Sequence, residues 1–474
     1  MNRRRLALPA ASDVMQLARA LARAGGRLVV VGGFVRDALR GRPSHDVDLE
    51  VFGLSPDAVE AVLVGFGFSP RVGRLQPVWR RVRDGLDLGW PRAGALELDA
   101  RDPSSLERAF RAASRHRDLT LNAIGWDPLD ERLLDPWLGE ADLAAQRLRA
   151  VDAATFGADP LRLLRVARLQ ALLEASVEPS LVALCRGLDL ADVAVERIAG
   201  ELRRMLLDLP RPSRAFAWLA SIGRLDVFPP LAALVGIAQD PDWHPEGDVF
   251  VHTLLVIDRA RELGEALDPA AREILLIAAL CHDLGKSATT REEAGRVHAL
   301  GHEAVSARLA RAWLTALRFP ERVVGAVEVL IEHHRAPAQL VAGSAGARAY
   351  RRLARKLDAG GETLIALERL ARADQLGRTT EAARAGRFDA GAAFLAAAEA
   401  AQVEATPRPD VVSAPDLMAR GIAPGPELGR LLRRCREIED ETGETDPEVV
   451  LSRCLGGLDR GAHPPSAARR PERG

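Results

Sequence analysis

The first strong feature along the chain is an unbroken apolar run, Leu28–Val31, followed by Gly32-Gly33. A run of this kind predicts a buried strand. A short helical segment, Phe34–Leu39, follows and carries Arg36 and Asp37. Past a loop with Gly41 and Pro43, polar and apolar residues alternate strictly. Asp46, Asp48 and Glu50 share one strand face, and Val47, Leu49 and Val51 share the other. The surrounding pattern predicts an amphipathic helix over Asp13–Ala24 and a helix from Ser55-Pro56 to about Phe66. Short strands are expected at 70–72, 78–82 and 86–90. From about Ala158 the periodicity is helical throughout. Asp159-Pro160 predicts a helix start, with aspartate as cap and proline in the first position. Leu161, Leu164, Leu169 and Leu172 then form an apolar stripe, beside Arg162, Arg165 and Arg168 at every third position. Further helices are expected over 195–207 and 215–228, with a domain boundary near 235–245.

Composition narrows the class without naming a function. A chain of 474 residues has room for about three domains. Its 47% hydrophobic and 28% charged residues are ordinary for a soluble globular protein. A net charge of −1 excludes a global basic field, so any RNA contact must come from local patches. The four cysteines are scattered, with no CxxC pair, which suits a reducing cytoplasm and argues against a zinc ribbon or disulfide scaffold. The basic N-terminus is broken early by Pro9 and Asp13 and makes a poor signal peptide. No apolar run reaches the length of a membrane span, so a cytoplasmic protein without membrane contact is expected.

Taken alone, the DxDxE alternation describes an edge strand with solvated acids. The glycine turn upstream suggests more. Two acids opposite a phosphate-cradling turn can hold Mg²⁺ through oxygen and support in-line phosphoryl displacement. The turn N–H groups and Arg36 can then face a triphosphate. Phe34-Val35-Arg36 after Gly33 does not fit GxGxxG, which disfavours a dinucleotide site. Asp87 is either a third acid or an edge charge. Arg101, Arg108, Arg111, Arg115 and Arg117 form either a solvated helix face or a positive wall near the triphosphate. Asp159 beside Arg162 pairs an acceptor with a donor fork. Such a pair suits the Watson–Crick edges of cytosine and adenine, and mismatches guanine and uracil.

A second chemical centre is expected downstream. His252, His282-Asp283 and Asp374, with His302, His333 and His334 as further candidates, fit a divalent transition metal bound between helices. Such a metal activates water against a phosphate ester. Lys286 and Arg378 are either phosphate contacts or surface charges. Residues 380–412 read as an Ala-rich helix and a Pro-rich linker, and the tail from residue 456 as disordered.

The segments Gly32-Gly33-Phe34-Val35-Arg36-Asp37, Asp46-Val47-Asp48, Arg117-Asp118 to Asn122-Ala123, Asp159-Pro160-Leu161-Arg162 and Glu196-Arg197 together resemble the bacterial class II tRNA nucleotidyltransferases, the CCA-adding enzymes, and the related poly(A) polymerases. The histidine series resembles the HD phosphohydrolase domain that some of these enzymes carry. The resemblance implies an α+β fold: a polymerase-β-like head with a small mixed sheet, followed by an all-helical neck, body, HD domain and tail. The corresponding spans are 1–150 for the head, 151–240 for neck and body, 241–385 for the HD domain, 386–455 for the C-terminal segment and 456–474 for the tail. Asp46 and Asp48 would be Mg²⁺ ligands, and Gly33, Arg36, Arg117, Asp159, Arg162, Arg165 and Arg168 would bind nucleotide. The implied partners are tRNA, CTP and ATP, with the tRNA 3′-hydroxyl attacking the α-phosphate. Two positions depart from the family pattern. Ala158 stands where a glutamate is usual, and His116 where an arginine is usual. Addition of A only, CC only or poly(A), an HD phosphohydrolase with a decayed RNA-binding head, and a non-enzymatic RNA chaperone are the alternative readings.

Overall fold

The computed structural model describes residues 6, 11–42, 47–72, 77–83, 85–91, 98–99, 102 and 104–456. Asp46, Arg101 and the tail beyond Gly456 therefore lie outside the described residues. The chain divides into two compact units, Met1–Met205 with Arg214–Val227, and Leu206–Ser213 with Phe228–Gly474.

The first unit is built on a six-stranded mixed sheet. Its strands are β1 (Arg27–Val31), β2 (Asp48–Phe52), β3 (Val78–Arg81), β4 (Leu86–Gly89), β5 (Gly125–Asp127) and β6 (Arg132–Leu134), in the order β3-β4-β2-β1-β5-β6. β1 lies in the middle, antiparallel to β2 and β5, and β2 runs parallel to β4. The central position explains why β1 is apolar at every turn of the pleat. Leu28 and Val30 pack into one core with helices α1 (Ala11–Arg23), α2 (Gly33–Leu39) and α3 (Pro56–Leu63). Val29 and Val31 pack on the other face with Leu106, Ala109, Phe110 and Ala113 of α4 (Ser105–Ser114). β2 keeps the expected alternation: Val47, Leu49 and Val51 are buried, and Asp48 is exposed. Directly opposed residues share a face, so the register Val31↔Asp48 and Val29↔Glu50 puts both acids on the face that α4 covers.

The helix carrying the arginine series runs Arg162–Leu173, two residues later than its aspartate-proline signal suggests. The chain makes a tight turn first: the Asp159 carbonyl accepts from the Arg162 N–H, and its Oδ1 accepts from the Leu161 N–H at 3.3 Å.

The described residues of the second unit are helical apart from a small hairpin, Arg291–Glu293 with Arg296–His298, and the connecting turns. At its C-terminal end, Pro426–Thr442 and Pro447–Leu455 pack around Val412, Leu417, Cys435, Ile438, Val450 and Cys454. Arg355 ties this cluster to helix Ala347–Ala359 through Asp410, Glu439 and Asp440. Among the described residues no helix is long and apolar enough to cross a membrane.

Candidate active sites

In the first unit the glycine turn meets the acid strand. Gly32 has φ of 77°, a region open to glycine at no cost. A Cβ there would stand 3.1 Å from Asp48 Oδ2 and 3.6 Å from Arg117 Nη1. The close approach brings a guanidinium to the acid at the start of β2. Gly33 opens α2 and lies against Arg36, whose Nη2 would be 3.3 Å from a Cβ.

Arg36 is buried and locked. Its Nε and Nη2 donate to the Asp37 carboxylate at 2.9 and 2.7 Å, and its Nη1 donates to Asn122 Oδ1 at 2.7 Å. Asn122 in turn donates to Asp118 Oδ1 at 2.9 Å, and Asp118 Oδ2 accepts from Arg165 Nε at 2.7 Å. Burial opposes ionisation of Asp118, but Arg165, Asn122 and the Leu119 N–H outweigh it and hold the group down at about 2. The depressed value stabilises the fold above the ordinary aspartate pKa near 3.9, by about 2 kcal/mol at neutral pH, and the stabilisation is lost as pH falls towards about 2. Asp118→Asn is therefore expected to be less stable by about that amount at pH 7, with the gap closing below about pH 3. Denaturant melts of both proteins across this range check it.

Two acids behave differently from the solvated-edge reading. Glu50 accepts from Arg117 Nη2 at 2.6 Å, and its Oε2 is buried without a hydrogen-bond partner. It belongs to the site. Asp87 lies beside Asp48 in parallel register and is gripped by Arg80 through two bonds of 2.9 and 2.8 Å.

The Asp159 and Arg162 side chains turn to different partners. Asp159 Oδ2 accepts from Arg197 Nη2 at 2.8 Å. The Arg162 fork points into the fold, donating to the Thr155 carbonyl at 2.8 Å, the Phe156 carbonyl at 3.1 Å and the His116 carbonyl. Three carbonyls thus hold Arg162 although position 158 is alanine. Arg168 bonds Glu201 at 2.9 Å. Among the described arginines of the 101–117 segment, only Arg117 reaches the Gly32–Asp48 turn. Arg108 pairs with Asp102, Arg115 with Asp152, and Arg111 lies over the Trp137 ring.

The second centre lies at helix ends in the second unit. His252 is carried on Val249–Leu263, His282-Asp283 ends Pro269–Cys281, His302 begins His302–Ala316, His334 ends Glu321–His333, and Asp374 is on Leu364–Gly377. Nδ1 of His282, His302 and His334 lies 2.8, 2.7 and 2.7 Å from the carbonyls of Ala279, Ala299 and Ile331. A carbonyl only accepts, so each Nδ1 carries the proton and the neutral ring leaves a lone pair on Nε2. This is how metal-binding imidazoles are oriented. His252 follows the same rule with a carboxylate: Nδ1 meets Glu246 Oε1 at 2.8 Å, and Nε2 meets Asp374 Oδ1 at 3.0 Å.

Asp283 sits at the middle. His282 Nε2 is 3.1 Å from its Oδ2, and His302 Nε2 is 3.2 Å from its Oδ1. Lys286 Nζ stands 2.7 Å from Oδ2, yet neither Asp283 oxygen nor His282 Nε2 has a well-directed hydrogen bond, and all three are buried. Orphaned buried polar atoms of this kind are costly, and a cation between them would satisfy all three. Burial opposes ionisation of Asp283, but His282 and Lys286 hold it well below the usual carboxylate range. Burial and the neighbouring His282 push His334 down to about 4, keeping it neutral near pH 7. Beside a candidate group of His244, Glu246 and His252, two ligand groups overlap at Asp283: His252-His282-Asp283 and Asp283-His302-His334. His333 joins neither, and is not among the residues lining the cavity. The turn after Asp283 requires glycine, because a Cβ on Gly285 would meet the His302 carbonyl at 2.4 Å.

The cluster opens into a cavity of ≈ 630 Å³ lined also by Lys286, Arg335, Arg378, Trp243 and His244. Sequence reasoning overlooked Glu246. Its Oε1 meets Nδ1 of both His252 and His244, at 2.8 and 2.9 Å, and its Oε2 accepts from the Thr379 N–H at 3.1 Å. The usable signal was a WHPE segment just upstream of His252.

The two regions correspond to two known family models. Residues 28–149 match the Poly A polymerase head domain, and residues 249–378 the HD domain. The class is thus a nucleotidyltransferase head followed by an HD domain. The Multifunctional CCA protein of Leptothrix cholodnii is 36% identical over 323 residues, 65% of this chain and 72% of the relative. That of Cupriavidus metallidurans is 37% identical over 314 residues, 62% of this chain and 71% of the relative. The chain belongs to the family of multifunctional CCA proteins, which makes it a tRNA nucleotidyltransferase. Solved structures share the fold. The Bacillus stearothermophilus CCA-adding enzyme in complex with CTP aligns with a TM-score of 0.62 at 20% identity, covering 96% of this chain and 100% of that one. The Thermotoga maritima CCA-adding enzyme complexed with tRNA aligns at 0.58 and 16% identity, covering 97% and 100%.

Proposed function

We propose that the chain adds C and A residues to the 3′ end of tRNA from CTP and ATP, without a nucleic-acid template. The observation that carries this reading is the meeting of Asp48, the Gly32 turn and Arg117 on one sheet face. The acceptor 3′-hydroxyl attacks the α-phosphate, a new phosphodiester forms and pyrophosphate leaves. Mg²⁺ held by Asp46 and Asp48 would supply charge neutralisation at the reacting phosphate. Arg117, held by Glu50, faces the same turn and offers donors to phosphate oxygens. Gly33 and Arg36 shape that turn, and Arg165 and Arg168 brace the helix behind it. Asp159 and Arg162 are proposed to read the base, with Arg197 fixing the acceptor and Arg162 exchanging carbonyl partners for the nucleotide when it binds. The CTP and tRNA complexes of similar solved enzymes support these partners. Four free, buried cysteines suit a reducing cytoplasm.

Labelled CTP and ATP supplied with tRNA lacking its CCA end provide the test. Incorporation of C and A but not G or U is expected; failure to incorporate both C and A sinks the reading. A head retained only for RNA binding has little support, because the Gly32–Asp48–Arg117 arrangement is intact.

The HD centre is proposed to be a metal-dependent phosphohydrolase site. His252, His282, Asp283 and Asp374 would hold a divalent transition metal, and His302 and His334 offer a second half-site sharing Asp283. The nitrogen and oxygen donor set, without thiolate, suits the borderline first-row metals, which would supply Lewis acidity towards a phosphate ester. Lys286 and Arg378 line the same cavity and can meet the phosphate. Glu246→Ala is expected to weaken metal binding about 10–100-fold, the usual cost of losing an outer partner of a ligating histidine. Titration of the apoprotein with Mn²⁺ or Ni²⁺ by calorimetry measures this directly.

A further inference from the structure

The basic helix of the head is not spent on the glycine turn. Arg108, Arg111 and Arg115 fall three and four residues apart and so share one helical stripe, while Leu106, Phe110 and Ala113 of the same helix are buried against the sheet. The three arginines line a cavity of ≈ 540 Å³ with Ala112, Trp137, Val151 and Asp152. Asp152 is its single lining carboxylate. Arg108 and Arg115 keep well-exposed side chains; among the described residues Arg108 pairs with Asp102 and donates to the Ser104 hydroxyl, and Arg115 pairs with Asp152. Arg111 has no carboxylate partner among the described residues. Its guanidinium carbon lies over the Trp137 ring, 4.8 Å from the ring centre, and among the described residues it donates to the Pro136 carbonyl at 3.3 Å.

We infer that this groove binds the phosphodiester backbone of RNA, as a second contact for the tRNA substrate away from the reacting end. The inference rests on the reading of the chain as a tRNA-acting enzyme. A protein of net charge −1 must gather its RNA affinity in local patches, and three guanidiniums against two carboxylates, Asp102 and Asp152, leave such a patch positive. Guanidinium forks match phosphate oxygens in pairs. Exposed arginine–aspartate pairs contribute at most about 1 kcal/mol, so exchanging aspartate for phosphate costs little. Phosphate contact also releases counterions. Arg111 is backed by an indole and presents its other face outward, where an unpaired base can stack. A free nucleoside triphosphate fits less well, because the groove holds no pair of carboxylates for its metal ion.

The test uses the full chain with Arg108→Ala and Arg111→Ala combined. Binding of tRNA lacking its CCA end is followed by fluorescence anisotropy across a salt series, and CTP binding is measured separately. The double variant is expected to bind tRNA about tenfold more weakly at 0.1 M salt. The slope of log affinity against log salt should fall by about 1.5 to 2. The thermal midpoint and CTP affinity should match wild type. Arg111→Lys, which keeps the charge, should retain the wild-type slope. Unchanged tRNA affinity and slope in the double variant overturn the assignment, and so does a loss confined to CTP affinity. Absence of tRNA binding by the wild-type chain instead overturns the underlying tRNA reading, and the groove assignment with it.

Discussion

Asp48→Ala is expected to abolish nucleotide addition while leaving hydrolysis at the HD centre unchanged. Asp48 is exposed at the mouth of the glycine turn, so its loss removes little packing. Exposed substitutions of this kind usually cost within about 0.5 kcal/mol of stability. The chemical cost is far larger. Losing the group that places positive charge at the reacting phosphate should slow transfer roughly a thousandfold, equivalent to about 4 kcal/mol of transition-state stabilisation. Labelled-nucleotide incorporation, read beside a thermal melt, separates the two effects. Residual transfer within tenfold of wild type contradicts the role given to this acid. Asp46→Ala is expected to behave alike, although that residue lies outside the described part of the fold.

The second large effect is the reverse case. His282→Ala should remove metal and phosphohydrolase activity and leave nucleotide addition intact. His282 is buried, its Nδ1–H is pinned by Ala279, and its Nε2 points at Asp283 with no directed partner. Its loss takes a ligand from the half-site and leaves a buried carboxylate short of a counter-charge. Metal affinity is expected to fall by more than about a hundredfold, above the range for losing an outer-sphere partner. Calorimetric titration and metal content after dialysis measure it. Retained metal with lost hydrolysis would place the histidine in substrate binding instead.

The parts of the fold legible in the sequence were those written in local pattern. β1 is apolar because both its faces are covered, and β2 alternates because one face is. The helices that carry the histidines were marked by their apolar neighbours. What local pattern cannot show is which distant group arrives. Glu50 looks like a wet edge until Arg117 is brought onto it from the end of α4. Asp159 and Arg162 look adjacent at one helical turn, but the helix begins only at Arg162, whose side chain turns inward to carbonyls while Arg197 comes to Asp159. His333 and His334 are neighbours in sequence. Of the two, only His334 joins the histidine–aspartate cluster, with its Nδ1–H tied to the Ile331 carbonyl. The arginine series of α4 was visible, but not the ring of Trp137, which follows β6 and lies under Arg111.

The most direct test of the central claim is the sequence of the product's 3′ end. Purified protein is incubated with tRNA ending at its discriminator nucleotide, Mg²⁺ and all four nucleoside triphosphates, and the extended ends are sequenced. The expected product is CCA and nothing beyond it, lost in Asp48→Ala and kept in His282→Ala. A tract of A residues, a stop after one nucleotide type, or no extension contradicts it.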